Sequence, residues 1–293
     1  MQDAQPGILA NAPRQARYLT FSIKPDTDPR EVLRTLADSA DGEKAVVGLG
    51  LPLLMTVGKG IDGMRTFPSL AGPGFSIPST PAALWIWLRS DDRGDLLHST
   101  RYYEQLLDGA FSLEQVIDAF QYRDSRDLTG YEDGTENPEG EEAVNAGIVQ
   151  DQGSGIDGSS FVAVQQWVHD LDHFQSMPQP EQDDTIGRRI SDNAEIEEAP
   201  ASAHVKRTAQ EDFEPEAFIL RRSMPWADEQ QAGLVFVAFG HSFDAFEALL
   251  NRMVGKDDGI VDALFRFTHP VSGSYYWCPP VTEGHLNLQA LDL

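Results

Sequence analysis

"RYLTFSIKPDTDPREVLRTLADSA", Arg17 to Ala40, is where the architecture of this chain is first legible. Leu19, Phe21 and Ile23 alternate with Tyr18, Thr20 and Ser22, the period-two pattern of a half-buried strand. Asp28-Pro29-Arg30-Glu31 follows: an N-cap acid, a proline at the first helical position and a capping-box glutamate. Val32, Leu33, Leu36 and Ala40 then recur at helical spacing. The chain therefore begins with a strand that runs into a capped helix.

Further elements extend the pattern. "KAVVGLGLP" (44–52) and "AALWIWLRS" (82–90) read as strands, with a Gly/Pro-rich loop between them from Pro68 to Pro81. Asp95 is the expected cap of a helix through Leu107, with Gly109 as its stop, and "QVIDAFQYRD" (115–124) closes the set as a strand. The order β-α-β-β-α-β is the ferredoxin-like arrangement. From about Gly158 it recurs: strand "SSFVAVQQWV", short helix "LDHFQSM", strands "EAFILRRSM" and "GLVFVAFGHS", then the amphipathic helix "SFDAFEALLNRMVG". The expected fold class is α+β, two ferredoxin-like units with antiparallel sheets. They span 1–125 and 158–293 and are joined by a connecting segment, 126–157. Two polar stretches interrupt them, Arg123–Ser159 and Pro178–Ala203, and loops of that length are commonly functional or disordered.

Charge narrows the partners. Asp and Glu number 47 against 22 Lys and Arg, a net −25 that repels phosphate backbones and anionic lipid, so no nucleic-acid or membrane partner is expected. The acidity reads either as attraction of cationic partners or as a solvated acidic surface. The single cysteine, Cys278, excludes an internal disulfide framework and a cysteine-rich metal site. The first residues carry no basic-then-apolar leader, and no apolar run approaches ~18 residues, so a cytoplasmic protein is expected.

One segment is specified more tightly than a turn requires: "GYEDGTENP", Gly130 to Pro138. Gly130 and Gly134 permit backbone angles closed to other residues, so Asp133 can sit on a tight turn with its carboxylate projected. Local chemistry equally allows a capped turn in which Asp133 bonds neighbouring amides, or a metal site of Glu132, Asp133 and Glu136 that lacks calcium-loop spacing. His204 is one of seven histidines, and composition does not single it out. Alternation in "AFILRRSM" places Ile219, Arg221 and Ser223 on one strand face, so Arg221 either lines a pocket or pairs with an acid. Cys278-Pro279 reads as a buried small hydrophobe, and no phosphate loop, "HExxH" or "GxSxG" is present.

Taken together these stretches resemble the dye-decolourising peroxidase family, particularly its short bacterial subgroup. "GYEDGTENP" is similar to that family's G-F-x-D-G-T-E-N-P stretch. "GSSFVAVQQWVHDL", "TIGRR", "SAHVKRT", "ILRRSMP" and "DALFRFTHPVSGSYYW" resemble further family segments in the same order, and the N-terminal part matches in element order and in "GIL" (7–9). The resemblance implies a peroxidase with haem b in the second unit, reducing hydrogen peroxide and oxidising an organic, dye- or phenol-like donor. Carried over residue by residue, it makes His204 the iron ligand, held through its other ring nitrogen by Asp262. Asp133 and Arg221 become the catalytic pair, with Ser223 in their hydrogen-bond network. Arg207 is then expected at a haem propionate and Phe236 against the haem face. Tyr131 and Glu132 depart from the family pattern, which has Phe and commonly an apolar residue there, and Glu132 is expected to face solvent. A homo-oligomer, dimer or higher, is expected. The alternative is a haem-handling protein for storage, delivery or iron release, which would need His204 but neither Asp133 nor Arg221.

Overall fold

The computed structural model describes residues 3–72 and 74–293; Pro73, within the predicted Pro68–Pro81 loop, lies outside them. Eight principal strands carry the architecture. The first four are β1 (Gln15–Ile23), β2 (Ala45–Gly50), β3 (Leu84–Ser90) and β4 (Phe111–Phe120). The second four are β5 (Ser160–His169), β6 (Met224–Ala227), β7 (Ala232–Gly240) and β8 (Ser274–Cys278). The first four pair antiparallel in the order β2-β3-β1-β4, and the second four in the order β8-β5-β7-β6. Each half therefore has the strand order expected of β-α-β-β-α-β.

The two sheets are not separate. β2 pairs with β8 through Gly50–Tyr276 and Leu49–Trp277, and β4 pairs with β6 through Ala119–Trp226. These contacts close the eight strands into a ring and leave neither sheet with a bare edge at those positions. Period-two alternation could not announce this closure, because it fixes faces and says nothing of which edge meets which.

The ring interior is packed by the inner faces of both sheets. Tyr18 stacks between Trp85 and Trp87, with centroids 6.1 and 6.3 Å away, and Phe239 and Tyr276 abut them from the other half. Cys278 is buried in the same core, where desolvation raises its thiol pKa. Leu19, Phe21 and Ile86 face outward beneath α1 (Arg30–Ser39) and α2 (Arg93–Leu107).

Two helix starts differ in detail from expectation. Asp92, not Asp95, caps α2, accepting from the Gly94 and Asp95 amides at 2.6 and 3.2 Å. Asp92 has the extended backbone of a cap, whereas Asp95 already lies in the first turn. Asp28 accepts from the Arg30 amide at 3.2 Å, with Pro29 just before the helix. The acidic stretch from Pro178 is not a bare loop: it contains α3 (Gln179–Ile186), ended by Gly187 in the left-handed conformation. Two further helices complete the site, α4 (His204–Arg207) and α5 (Asp244–Met253).

Candidate active site

An apolar cavity lies on the outer face of the second sheet. Alternation along β5 turns Gln165, Trp167 and His169 toward it, while Val164 and Val168 pack into the ring interior. Leu234 and Phe236 of β7 continue that wall. The opposite wall comes from α5, whose Phe246, Leu249, Leu250 and Met253 recur at helical spacing. His204, Asp133 and Arg221 all line this cavity, so the fold brings together three groups that are far apart in sequence.

His204 opens α4. Its Nδ1 lies 2.8 Å from Asp262 Oδ2, and the Asp262 side chain is fully enclosed. The other Asp262 oxygen accepts from the Leu264 amide at 2.9 Å, which fixes the carboxylate. A carboxylate accepts only, so Nδ1 is the donor, and in the neutral ring that tautomer leaves Nε2 with its lone pair. Nε2 makes no protein hydrogen bond among the described residues, and 26% of the side chain remains accessible. His169 differs. It lines the same cavity, but Nδ1 meets Thr268 Oγ1 at 2.5 Å and Nε2 meets Asp127 Oδ2 at 3.1 Å. His204 is therefore the cavity histidine with a ring nitrogen to spare.

The acid motif is built as a tight hairpin. Arg126 and Glu132 form an antiparallel bridge, and the Asp133 amide donates to Ser125 O at 3.2 Å. Gly130 and Gly134, at φ +93° and +82°, supply the backbone turns on either side of Asp133. Burial raises the Asp133 pKa; the Arg221 charge opposes that shift and the Asp127 charge reinforces it. Glu132 faces solvent, as expected, paired with Arg126 at 2.9 Å and accepting from Asn193 at 2.8 Å. Among the described residues no group of three or more His, Cys, Asp or Glu could hold a metal ion, which removes the Glu132–Asp133–Glu136 option.

Asn137 shows why the motif continues as Glu-Asn-Pro. Its Oδ1 accepts from the Arg221 amide at 2.8 Å and its Nδ2 donates to the Arg221 carbonyl at 3.0 Å. One side chain thus holds both polar backbone groups of the residue that faces Asp133, and the hairpin and the Arg221 strand are fixed as a unit. The sequence signal for this was an amide residue closing a motif that carries no other role for it.

Around Arg221 the expected strand "EAFILRRSM" is interrupted. Leu220 and Arg221 pair with Phe239 and Ala238, and Met224 resumes the same register opposite Val235. Between them the Arg222 amide donates to Val237 O, but the Val237 amide donates to Ser223 Oγ at 3.2 Å instead of a carbonyl. Ser223 does not line the apolar cavity with Arg221. It lines an adjoining polar cavity of about 560 Å³, which Asp133 and Arg221 also border. The Ser223 hydroxyl takes the place of one rung of the ladder while the register runs on unbroken. Arg222 turns the other way and binds the Ile8 and Leu9 carbonyls of "GIL" at 3.1 and 2.9 Å.

Phe236 lies in the cavity wall. Arg207 does not. Its side chain is 5% accessible, and its two terminal nitrogens bind Asp258 at 2.7 and 2.8 Å, one of them also the Arg252 carbonyl. Three of the five guanidinium N–H groups are engaged in this way, which ties α4 to the segment after α5, while Nε has no partner among the described residues. Sequence reasoning missed Asp127, His169 and Thr268 as a hydrogen-bonded group in the cavity wall. The placement of His169 on the same strand face as Gln165 and Trp167 was the available signal.

Comparison with known proteins accords with this geometry. Residues 124–283 match the family model described as Dyp-type peroxidase, C-terminal. A dye-decolorizing peroxidase of Rhodococcus erythropolis is 32% identical, over 93% of this chain and 85% of that protein. Among solved structures, a dye-decolorizing protein from V. cholerae superposes with TM-score 0.86 at 26% identity, covering 98% of each chain. A variant of DypB from Rhodococcus jostii RHA1 in complex with heme gives TM-score 0.84 at 25% identity, covering 93% of this chain and 94% of that one. The chain belongs to the dye-decolourising peroxidase family.

Proposed function

We propose that the cavity beneath α5 holds haem b through His204, and that Asp133 and Arg221 act on hydrogen peroxide beside it. As a dye-decolourising peroxidase the protein reduces hydrogen peroxide while oxidising an organic donor. One observation carries the reading: His204, with Nδ1 held by Asp262 and Nε2 free, shares a cavity with Asp133 and Arg221. The site also suits haem in its lining, mostly aliphatic and aromatic, and in the unpartnered Gln165 Nε2 and Arg221 Nε along its wall. Haem, when bound, supplies iron to take up peroxide and oxidising equivalents for the donor.

The chain's own residues then do the proton and charge work. Asp262, as acceptor at His204 Nδ1, increases the donor strength of Nε2 and fixes the ring. Asp133, once ionised, accepts the peroxide proton and returns it to the departing oxygen. Arg221 supplies fixed positive charge where negative charge develops as the O–O bond breaks. Ser223 acts at one remove, by holding the Arg221 strand to Val237. Phe236 keeps that wall of the cavity dry.

The reading places the haem site in the second of two units, 158–293, with 1–125 as the first and 126–157 between them. It includes a homo-oligomer, supported by exposed apolar side chains such as Met55, Leu97 and Tyr102. It includes a cytoplasmic location, supported by a lone buried cysteine. No described helix is long and apolar enough to cross a membrane. A haem-handling role alone leaves Asp133 and Arg221 without purpose in the cavity. Haem titration of wild type and His204→Ala tests the assignment: a Soret band in wild type that is lost or displaced in the variant is expected, and identical spectra would refute it.

A further inference from the structure

Tyr131 is the only tyrosine lining the cavity among the described residues, and its hydroxyl meets a carboxylate. The ring is 3% exposed and packs edge-on to Phe174 at 6.1 Å, beside Phe267 and Met177. Its hydroxyl donates to Asp183 Oδ1 on α3 and accepts from Gln179 Nε2 at 3.1 Å. Gln179 also donates to Asp183 at 2.9 Å, and the Ile190 amide donates to the same carboxylate oxygen at 3.2 Å. Asp183 is thus a fixed proton acceptor aimed at the phenol. Gln179 is solvent-exposed and Asp183 half-buried, so the hydroxyl end lies just beneath the surface while the ring faces the cavity.

This arrangement joins two properties that electron transfer by tyrosine needs. An oxidised phenol is a strong acid and must shed its proton, and a buried one can do so only to a partner already in place. Burial, and then the Asp183 contact, raise the Tyr131 pKa far above the ordinary tyrosine value, so the residue rests protonated. Tyr275 also meets a carboxylate, Glu247 at 3.1 Å, but does not line the cavity. Trp167 lines the cavity, but its Nε1 has no partner to take a proton.

We propose that Tyr131 is a redox-active residue that carries oxidation from the cavity to donors at the α3 surface, with Asp183 as its proton acceptor. The proposal rests on the haem peroxidase reading above. The Tyr131 ring would give one electron to bound haem once peroxide has oxidised it; the phenol O–H bond breaks and the proton moves to Asp183 Oδ1, leaving a neutral tyrosyl radical. An organic donor at the surface then returns one electron, and Asp183 returns the proton. Donors too large for the cavity are thereby brought within reach.

The test is electron paramagnetic resonance on haem-loaded protein, freeze-quenched after one equivalent of hydrogen peroxide, with the absorption spectrum recorded on each sample. Wild type is expected to give a tyrosyl signal that narrows when the protein carries ring-deuterated tyrosine, and Tyr131→Phe is expected to lose it. Asp183→Asn, which retains the phenol, is expected to cut the radical yield at least severalfold. That variant decides the matter should Tyr131→Phe fail to load haem. A prompt peroxide-induced change in the haem spectrum without a tyrosyl signal overturns the inference alone. So does a signal that survives Tyr131→Phe, or a yield that Asp183→Asn leaves unaltered. A haem spectrum that ignores peroxide overturns the peroxidase reading and, with it, this one.

Discussion

Replacing Asn137 by Ala removes a side chain that touches no reacting group, yet it should weaken both the fold and the chemistry. The Arg221 amide loses its acceptor at 2.8 Å, and the Arg221 carbonyl loses its donor at 3.0 Å. The two losses are unequal. The carbonyl keeps a second donor, Arg222 Nη1 at 3.0 Å, whereas the amide has no other acceptor among the described residues. An unsatisfied, partly buried donor costs ~1–3 kcal/mol and a replaced hydrogen bond ~0.5 kcal/mol, so the sum is about 2 kcal/mol. Urea unfolding followed by tryptophan fluorescence should show that loss, with Asn137→Asp, which keeps the acceptor, losing about half as much. In haem-loaded protein the freed Arg221 strand should slow the reaction with peroxide by roughly ten- to a hundredfold, the scale expected for small misplacements of catalytic groups. A stability change below about 0.5 kcal/mol together with an unaltered peroxide rate would refute the clamp.

Further predictions concern charge in and around the cavity. Burial raises the Asp133 pKa, so the folded state binds its proton more tightly than the unfolded chain. Stability from this group is therefore present at low pH and is lost as pH rises from the ordinary carboxylate value through the raised one. Asp133→Asn removes that loss, so without haem the variant should gain on wild type as pH rises toward neutrality, as thermal melts at pH 4 and 7 would show. Asp258→Ala strands the buried Arg207 guanidinium and should lower stability in urea unfolding. Haem uptake by that variant should match wild type, whereas a lost Soret band would restore Arg207 to the cofactor site. Asp262→Ala frees His204 Nδ1 and the Leu264 amide in a fully enclosed position, and should cost ~2–3 kcal/mol by urea unfolding while weakening haem retention.

The sequence made the strands legible wherever a strand has one face toward helices and one toward the ring, as in Leu19, Phe21 and Ile23. It made α5 legible because Phe246, Leu250 and Met253 repeat at helical spacing. The closure of two sheets into one ring stayed hidden, since the Gly50–Tyr276 and Ala119–Trp226 contacts join residues whose pairing no local pattern encodes. Asp133, His204 and Asp262 were found through a resemblance of motifs, because one histidine among seven cannot be singled out by composition. The Arg207 ion pair was hidden for a physical reason. Its partner, Asp258, lies 51 residues away, and a cation beside a ligand histidine looks available until that partner is seen. Ser223 borders the polar cavity that Asp133 and Arg221 also reach, and alternation alone could not tell that cavity from the apolar one.

The central claim is that Asp133 and Arg221 act on hydrogen peroxide beside haem held by His204. Rapid-mixing absorption spectroscopy of haem-loaded wild type, Asp133→Asn and Arg221→Leu with one equivalent of hydrogen peroxide tests it most directly. A prompt shift of the Soret band in wild type that is slowed at least tenfold in one variant or both is the predicted result. Equal rates in all three proteins, or a wild-type band that does not respond to peroxide, would contradict the account.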